Sequence, residues 1–392
     1  MADFKYLIVG GGMTADAAVQ GIRTVDGKGS IGLFSGEHHP PYNRPPLSKS
    51  LWKGEPVDGI WRKTSQDHIR MFLDTAVSRI DPAGKRVFDG AGKSYSYGTL
   101  LLATGGRPRR LSGDPGGVLY YRTIDDYTRL RELCREGTSF AVIGGGFIGS
   151  EIAAALAMNG KSVTMVIPQE TIGGRVFPPP LGRSLNEYYR GKGVDLLTGE
   201  SVTGIEKIGP RSIVRTTGGK RLTVDGVVAG IGIEPNTELA ASAGLAVENG
   251  IRVDRTLRTS FPDIYAAGDV ANFPSAPLGR NIRVEHEDNA NTMGSTAGKN
   301  MAGESLPYTH IPFFYSDLFE IGYEAVGELD AALETVADWR EEFREGVVYY
   351  LSKGRVRGVL LLNTWGKVDA ARGLMTSERT FTKEDLNGLI TS

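Results

Sequence analysis

Glycine spacing carries the first chemical signal in this chain. Gly10-Gly11-Gly12-Met13-Thr14-Ala15 follows the apolar run Phe4–Val9 in a GxGxxA pattern. Gly144-Gly145-Gly146-Phe147-Ile148-Gly149 follows Phe140–Ile143 in a full GxGxxG pattern. In such a turn the first glycine makes the tight reversal. The second lets backbone N–H groups approach a pyrophosphate at a helix N-terminus, where the helix dipole is positive. Either turn alone could be an ordinary glycine-rich loop. Both lie between a strand and a helix, and two in one chain are far more specific than one. An acid is expected near the end of the second strand of the first unit, to accept from ribose hydroxyls. Glu37 is the candidate, because Ser35 and Gly36 carry no carboxylate. Glu151 follows the second fingerprint and, on position alone, reads as a complement to the helix N-terminus.

Other chemistries find no support. Cys134 is the one cysteine, so neither an internal disulfide nor a redox cysteine pair is possible within the chain. No HExxH or paired Cys/His spacing points to a metal, and none is expected. No GxSxG elbow occurs. Gly92-Lys93-Ser94 has the look of a phosphate loop, but Val87 stands where its first glycine should be.

The elements that must position these turns are legible. Phe4–Val9, a helix over Thr14–Arg23 and a strand at Ile31–Phe34 form one βαβ unit. Phe140–Ile143, a helix over Ile148–Asn159 and a strand at Ser162–Ile167 form another. Between them Thr123-Ile124-Asp125-Asp126 has the form of a capping box. It opens a helix with Tyr127, Leu130 and Cys134 on one face, which makes Cys134 a small core residue. Val347–Leu351 and Val359–Leu362 flank the turn Ser352-Lys353-Gly354-Arg355, a β-hairpin signature without another fingerprint.

Composition fits this layout. The 392 residues, 40% hydrophobic and 23% charged, suffice for two or three packed domains. A net charge of −1 gives no case for nucleic acid or an anionic membrane. Met1-Ala2-Asp3 runs straight into an apolar strand without a basic segment, and no window approaches a membrane span. A soluble cytoplasmic protein is the expectation.

Longer motifs add a resemblance. Val9–Ala15 and Pro41-Tyr42-Asn43-Arg44-Pro45-Pro46-Leu47-Ser48-Lys49 resemble the apoptosis-inducing-factor and oxygenase-coupled ferredoxin reductase family, with monodehydroascorbate reductases as close cousins. Leu102-Ala103-Thr104-Gly105-Gly106, Gly144–Glu151 and Gly230-Ile231-Gly232-Ile233-Glu234-Pro235-Asn236 match in the same order. So do Tyr265–Val270, Val284-Glu285-His286 and Pro312–Asp317. The match spans nearly the whole chain. It implies an α/β fold with two Rossmann-like domains and a C-terminal α+β domain. The implied layout is an FAD domain at residues 1-113 and 241-308, an NAD(P) domain at 114-240 and an interface domain at 309-392.

The resemblance also implies roles. Gly10, Gly12, Thr14, Ala15, Glu37, Ala103, Thr104 and Gly105 would contact FAD. Asp269 would bind its ribityl hydroxyls, and Arg44 would lie near the flavin and its phosphates. Lys49 would sit beside the isoalloxazine, paired with Glu151, and Phe147 would cover the flavin face and swing away for nicotinamide. Glu285 and His286 would open a helix whose positive end faces reduced flavin, and Tyr315 would close the pocket. Gly144, Gly146, Ile148, Gly149 and Gly232 would contact NAD(P). In relatives an acid ends the second strand of that domain. Here Gln169 stands there, followed by Glu170, with Arg175 nearby, so the choice between NADH and NADPH stays open and leans to NADH. Implied acceptors are a ferredoxin-like iron–sulfur protein, for which Lys353, Arg355 and Arg357 would suit an acidic partner, or monodehydroascorbate or a quinone. An NADH-sensing redox protein with slow turnover is a further alternative. The oligomeric state stays open.

Overall fold

The computed structural model describes residues 3–64, 68–114 and 116–390. Its contacts cluster into two units. Unit 1 comprises Met1–Arg44, Val57–Arg107 and Glu234–Pro312; unit 2 comprises Pro45–Pro56, Pro108–Ile233 and Phe313–Ser392.

Unit 1 starts with β1 (Phe4–Val9), α1 (Met13–Val25) and β2 (Ile31–Phe34). β1 pairs in parallel with β2 on one side and with a later strand, Ser94–Leu102, on the other. Arg70–Phe72 extends the β2 edge, and Ile264–Ala266 pairs in parallel with Ser94–Leu102. Two antiparallel strands, Arg86–Asp89 and Val77–Asp81, complete a seven-stranded sheet. Leu7, Ile8, Leu33, Leu100 and Leu101 are fully buried, which is what a parallel strand covered on both faces requires. The loop Gly92-Lys93-Ser94 is a hairpin turn in which Lys93 N bonds Asp89 Oδ1. The helix Glu287–Met301 lies on α1 at very short range: a Cβ at Gly294 or Gly298 would fall 2.4 Å or 2.1 Å from the carbonyl oxygen of Thr14 or Ala18.

Unit 2 contains a five-stranded sheet, parallel throughout, built from Val118–Tyr120, Ser139–Ile143, Ser162–Ile167, Val194–Thr198 and Gly226–Ala229. Both expected strands of the second fingerprint are present, and its helix runs Phe147–Met158, one residue earlier than the spacing indicates. The capping box is real. Thr123 accepts from Asp126 N, and the Asp126 carboxylate accepts from Thr123 N. The helix Ile124–Glu136 buries Ile124, Tyr127 and Leu130, but Cys134 is only half-buried. The core assignment of Cys134 is therefore corrected: it lies one turn beyond the buried stripe, near the helix end.

The C-terminal part of unit 2 is a five-stranded antiparallel sheet. Phe313–Leu318 is one edge, followed in space by Ile321–Gly327, Arg355–Leu362, Glu345–Ser352 and Glu334–Glu341. The expected hairpin is there. Its two-residue turn, Lys353-Gly354, has φ of 53° and 74°, the left-handed pair that suits the right-handed twist of the flanking strands. The chain thus carries two parallel-strand α/β sheets and an antiparallel C-terminal sheet. A small antiparallel sheet over Val202–Ile208, Arg211–Thr216 and Arg221–Val224 was not anticipated.

Candidate functional site

In unit 1, Gly10 takes φ of +129°, and a Cβ there would fall 2.1 Å from Ala103 O. The turn passes so tightly over the end of the central strand that only glycine fits. At Gly12 the same test meets nothing within 4 Å, and α1 has no side-chain cap. The first N–H groups of α1 thus face an open rim, the feature a pyrophosphate needs. Beside it, Thr104 Oγ1 donates to Asn236 O and Asn236 Nδ2 returns a bond to Thr104 O, which fixes the Ala103–Gly105 loop. A Cβ at Gly268 would fall 2.2 Å from Thr14 Oγ1, so the short turn Gly268–Val270 that carries Asp269 packs directly on α1. Arg283 Nη1 ties this turn down through Asp269 O at 3.0 Å and also pairs with Glu285 at 2.7 Å. His286 is the N-cap residue of the helix that begins at Glu287.

Glu37 does not stand alone. Its carboxylate accepts from Tyr42 Oη at 2.7 Å and pairs with Arg44. A carboxylate has about four acceptor sites, so one engaged this way can still receive ribose hydroxyls. The pairing places Glu37 and Arg44 in one cluster, which sequence spacing did not disclose. His286 is half-buried as a residue, yet its Nδ1 is shielded from solvent. That desolvation pushes the imidazole from 6.5 down to about 4, against the pull of Asp269 and Asp288. His286 is neutral at physiological pH.

Unit 2 repeats the cradle. Gly144 takes φ of +105° with a Cβ position 2.5 Å from Gly230 O, and a Cβ at Gly149 would fall 2.0 Å from Gly144 O. Gly146 again faces open space, and the helix Phe147–Met158 has no side-chain cap. Gln169 is half-buried just past the strand Ser162–Ile167, whereas Glu170 and Arg175 are exposed. Gly232 is exposed, and its carbonyl accepts from Arg109 N at 2.9 Å. Phe147 and Ile148 are each 38% exposed at the mouth of this cradle, and the Phe147 ring lies 4.9 Å from that of Phe314.

The same unit brings Lys49 to Glu151. Lys49 Nζ is 2.8 Å from Glu151 Oε1, and the Glu151 side chain is 3% exposed. The loop that holds Lys49 is anchored by Trp52 Nε1 and Tyr121 Oη, which both donate to Leu47 O. Ser48 Oγ donates to Glu151 Oε2 and Ser316 Oγ to Glu151 Oε1, each at 2.5 Å. Lys49 Nζ also lies 5.2 Å from the centre of the Tyr315 ring. The reading of Glu151 as a helix-end complement is therefore corrected. It is the fifth residue of its helix and turns inward onto three donors. Ser48 and Ser316 were missed as site residues, because serine has no spacing signature. Arg357, expected among basic residues facing a partner, pairs instead with Glu328 at 3.6 Å, while Lys353 and Arg355 are exposed.

Comparison with known proteins fits this double cradle. The family model described as pyridine nucleotide-disulphide oxidoreductase matches residues 4–294. The chain belongs to that family. A second model, the C-terminal region of the mitochondrion-associated apoptosis-inducing factor, matches residues 297–342. Apoptosis-inducing factor 1, mitochondrial, of Dictyostelium discoideum is 34% identical over 98% of this chain and 80% of its own length. The 5,5'-dehydrodivanillate O-demethylase ferredoxin reductase subunit of a Sphingobium species is 35% identical over 91% of this chain and 89% of its own. The covalent putidaredoxin reductase–putidaredoxin complex contains a chain with a TM-score of 0.89 and 31% identity, covering 96% of this chain and 94% of that one.

Membership makes the chain an oxidoreductase that uses FAD and NAD(P)H. The residues present fit those groups, since both fingerprints offer an uncapped helix N-terminus over an open glycine. Among the described residues no helix is long and apolar enough to cross a membrane.

Proposed function

We propose that this chain passes electrons from NADH through FAD to a small ferredoxin-type iron–sulfur protein. The observation that carries the reading is the Lys49–Glu151 pair, held out of water in the unit that also carries the second cradle. When bound, the two cofactors supply the hydride chemistry and its onward transfer as electrons. The chain supplies position and charge. In this reading α1 holds the FAD pyrophosphate at Gly10–Ala15, the Gly268–Val270 turn presents Asp269 to the ribityl chain, Glu37 meets the ribose hydroxyls, and Arg44, paired with Glu37, lies near the flavin and its phosphates. The Phe147 helix holds the second pyrophosphate at Gly144–Gly149. Lys49 presents a fixed positive charge, and Phe147 guards the place where nicotinamide docks. Tyr315 and His286 are lining residues in the same reading, with residues 1-113 and 241-308 as the FAD domain, 114-240 as the NAD(P) domain and 309-392 as the C-terminal domain.

Two relations support the acceptor: the ferredoxin reductase subunit that matches over most of its length, and the reductase solved in covalent complex with putidaredoxin. The preference for NADH rests on Gln169, whose amide oxygen can accept a hydrogen bond from a ribose hydroxyl, and on the exposed carboxylate of Glu170 beside it. The test is a rapid-mixing measurement of flavin bleaching by NADH and NADPH, followed by a panel of acceptors. Fast turnover with a ferredoxin supports the proposal. Fast turnover only with monodehydroascorbate or a quinone overturns the acceptor. Slow turnover with all of them, with dimerisation on NADH addition, overturns it in favour of a redox sensor.

A further inference from the structure

Glu151 is a buried carboxylate with more donors than its lysine. Ser48 occupies Oε2, while Ser316 and Lys49 share Oε1, all between 2.5 and 2.8 Å. Ser316 is 1% exposed and Glu151 3%. An ionised carboxylate is acceptor-only, so each serine must direct its proton at it. Across the strand pair Ser316 lies opposite the buried Tyr323. Burial, reinforced by the Glu151 charge, pushes that phenol far above its ordinary value, so it stays protonated. The result is a carboxylate held at both oxygens, with Ser48 on one and Ser316 and Lys49 on the other. Ser316 and Tyr323 face each other in register across the two antiparallel strands Phe313–Leu318 and Ile321–Gly327. Sheet pairing therefore sets the position of the last donor. A salt bridge alone leaves a carboxylate free to rotate about its terminal bond; donors on both oxygens remove that freedom.

We propose that Ser316 is a positioning residue for hydride transfer, which with Ser48 fixes the Glu151 carboxylate so that Lys49 keeps one place. It rests on the reading of Lys49 given above. Ser316 touches no reacting atom in this scheme and acts through Glu151. Its effect must therefore disappear when Lys49 is already gone, which a purely structural serine would not show.

The experiment is a double-mutant cycle on the FAD-loaded enzyme. Flavin reduction at saturating NADH is measured for Ser316→Ala, Lys49→Ala and the double variant, with FAD content and melting temperature as checks on folding. Ser316→Ala should slow reduction about 5-fold or more without weakening NADH binding. It should also weaken the long-wavelength charge-transfer band of the reduced enzyme with NAD+. In the Lys49→Ala background the same change should cost less than about 2-fold. Ser316→Thr, which keeps the hydroxyl, should recover most of the rate. Ser48→Ala, which removes the donor on the other carboxylate oxygen, should reproduce the pattern if a change at Ser316 prevents folding. Equal losses in both backgrounds, or a normal rate and band in folded Ser316→Ala and Ser48→Ala, overturn the proposal. Wild-type reduction in Lys49→Ala alone overturns the underlying reading of the site instead.

Discussion

Lys49 and Glu151, 102 residues apart in the chain, meet at 2.8 Å with both side chains almost wholly out of water. Removing either partner leaves the other charge buried and uncompensated, which costs far more than losing a surface ion pair. Lys49→Ala should therefore slow flavin reduction by NADH at least ~10-fold, about 1.4 kcal/mol of barrier. Glu151→Ala should act in the same direction, and the double variant should be less than additive. FAD should stay bound in all three. Rapid mixing reads the rates, and wild-type rates in both single variants would remove the pair from the site.

Coenzyme choice turns on the residue after the second strand of the second cradle. Gln169→Glu restores a carboxylate where a 2′-phosphate would lie and should raise the NADH to NADPH efficiency ratio. Repulsion at a partly solvated site is worth ~1–2 kcal/mol, so the ratio should move roughly 5- to 30-fold. An unchanged ratio would shift the ribose contact to Glu170.

The third glycine of the second fingerprint sets how closely its helix approaches the sheet. A methyl group at position 149 would fall 2.0 Å from Gly144 O, which is rigid backbone. Gly149→Ala should cost ~1–3 kcal/mol of stability and weaken NADH binding, while bound FAD remains. Melting curves and coenzyme titration on the purified variant check both effects.

Acid stability should depend on His286. Between its folded value of about 4 and its ordinary 6.5, the unfolded chain binds a proton that the folded protein does not. Stability from this group is complete above that window and falls as pH drops through it. His286→Gln carries no such proton, so its melting temperature should decline less steeply with acid. Parallel slopes for the two proteins would contradict the assignment.

Cys134 should prove dispensable. It is half-buried, desolvation raises its thiol above the ordinary value, and the chain holds no second cysteine. Cys134→Ser should keep turnover within about 2-fold of wild type. Loss of most turnover in a folded variant would reveal a thiol role.

The double βαβ architecture was legible because buried parallel strands read as short apolar runs and each is punctuated by glycine. Phe4–Val9, Ile31–Phe34 and Ser162–Ile167 fall where their patterns put them. The sheet over Val202–Val224 was not legible, since its first strand is largely exposed and carries no clean alternation. The site was legible only in part. Glycines declare themselves by spacing, and Lys49 by its motif. The serines that complete Glu151 lie 103 residues before it and 165 after it, and only tertiary packing relates them. Glu37 is a candidate from its position alone, but its engagement with Tyr42 and Arg44 depends on how the loop folds back.

The second unit is assembled from three separate stretches, Pro45–Pro56, Pro108–Ile233 and Phe313–Ser392. This has a consequence for the growing polypeptide on the ribosome. When the Phe147 helix emerges, the loop carrying Ser48 is already made, but the strand carrying Ser316 follows 165 residues after Glu151. Closing so long a loop is entropically costly, and the reward comes only once the strand Phe313–Leu318 has been made. Until then the inner face of that helix cannot finish packing, because a carboxylate short of its donors favours water. A nascent chain stalled before Phe313 would hold its second nucleotide cradle half-made, exposed to chaperones and proteases rather than to coenzyme.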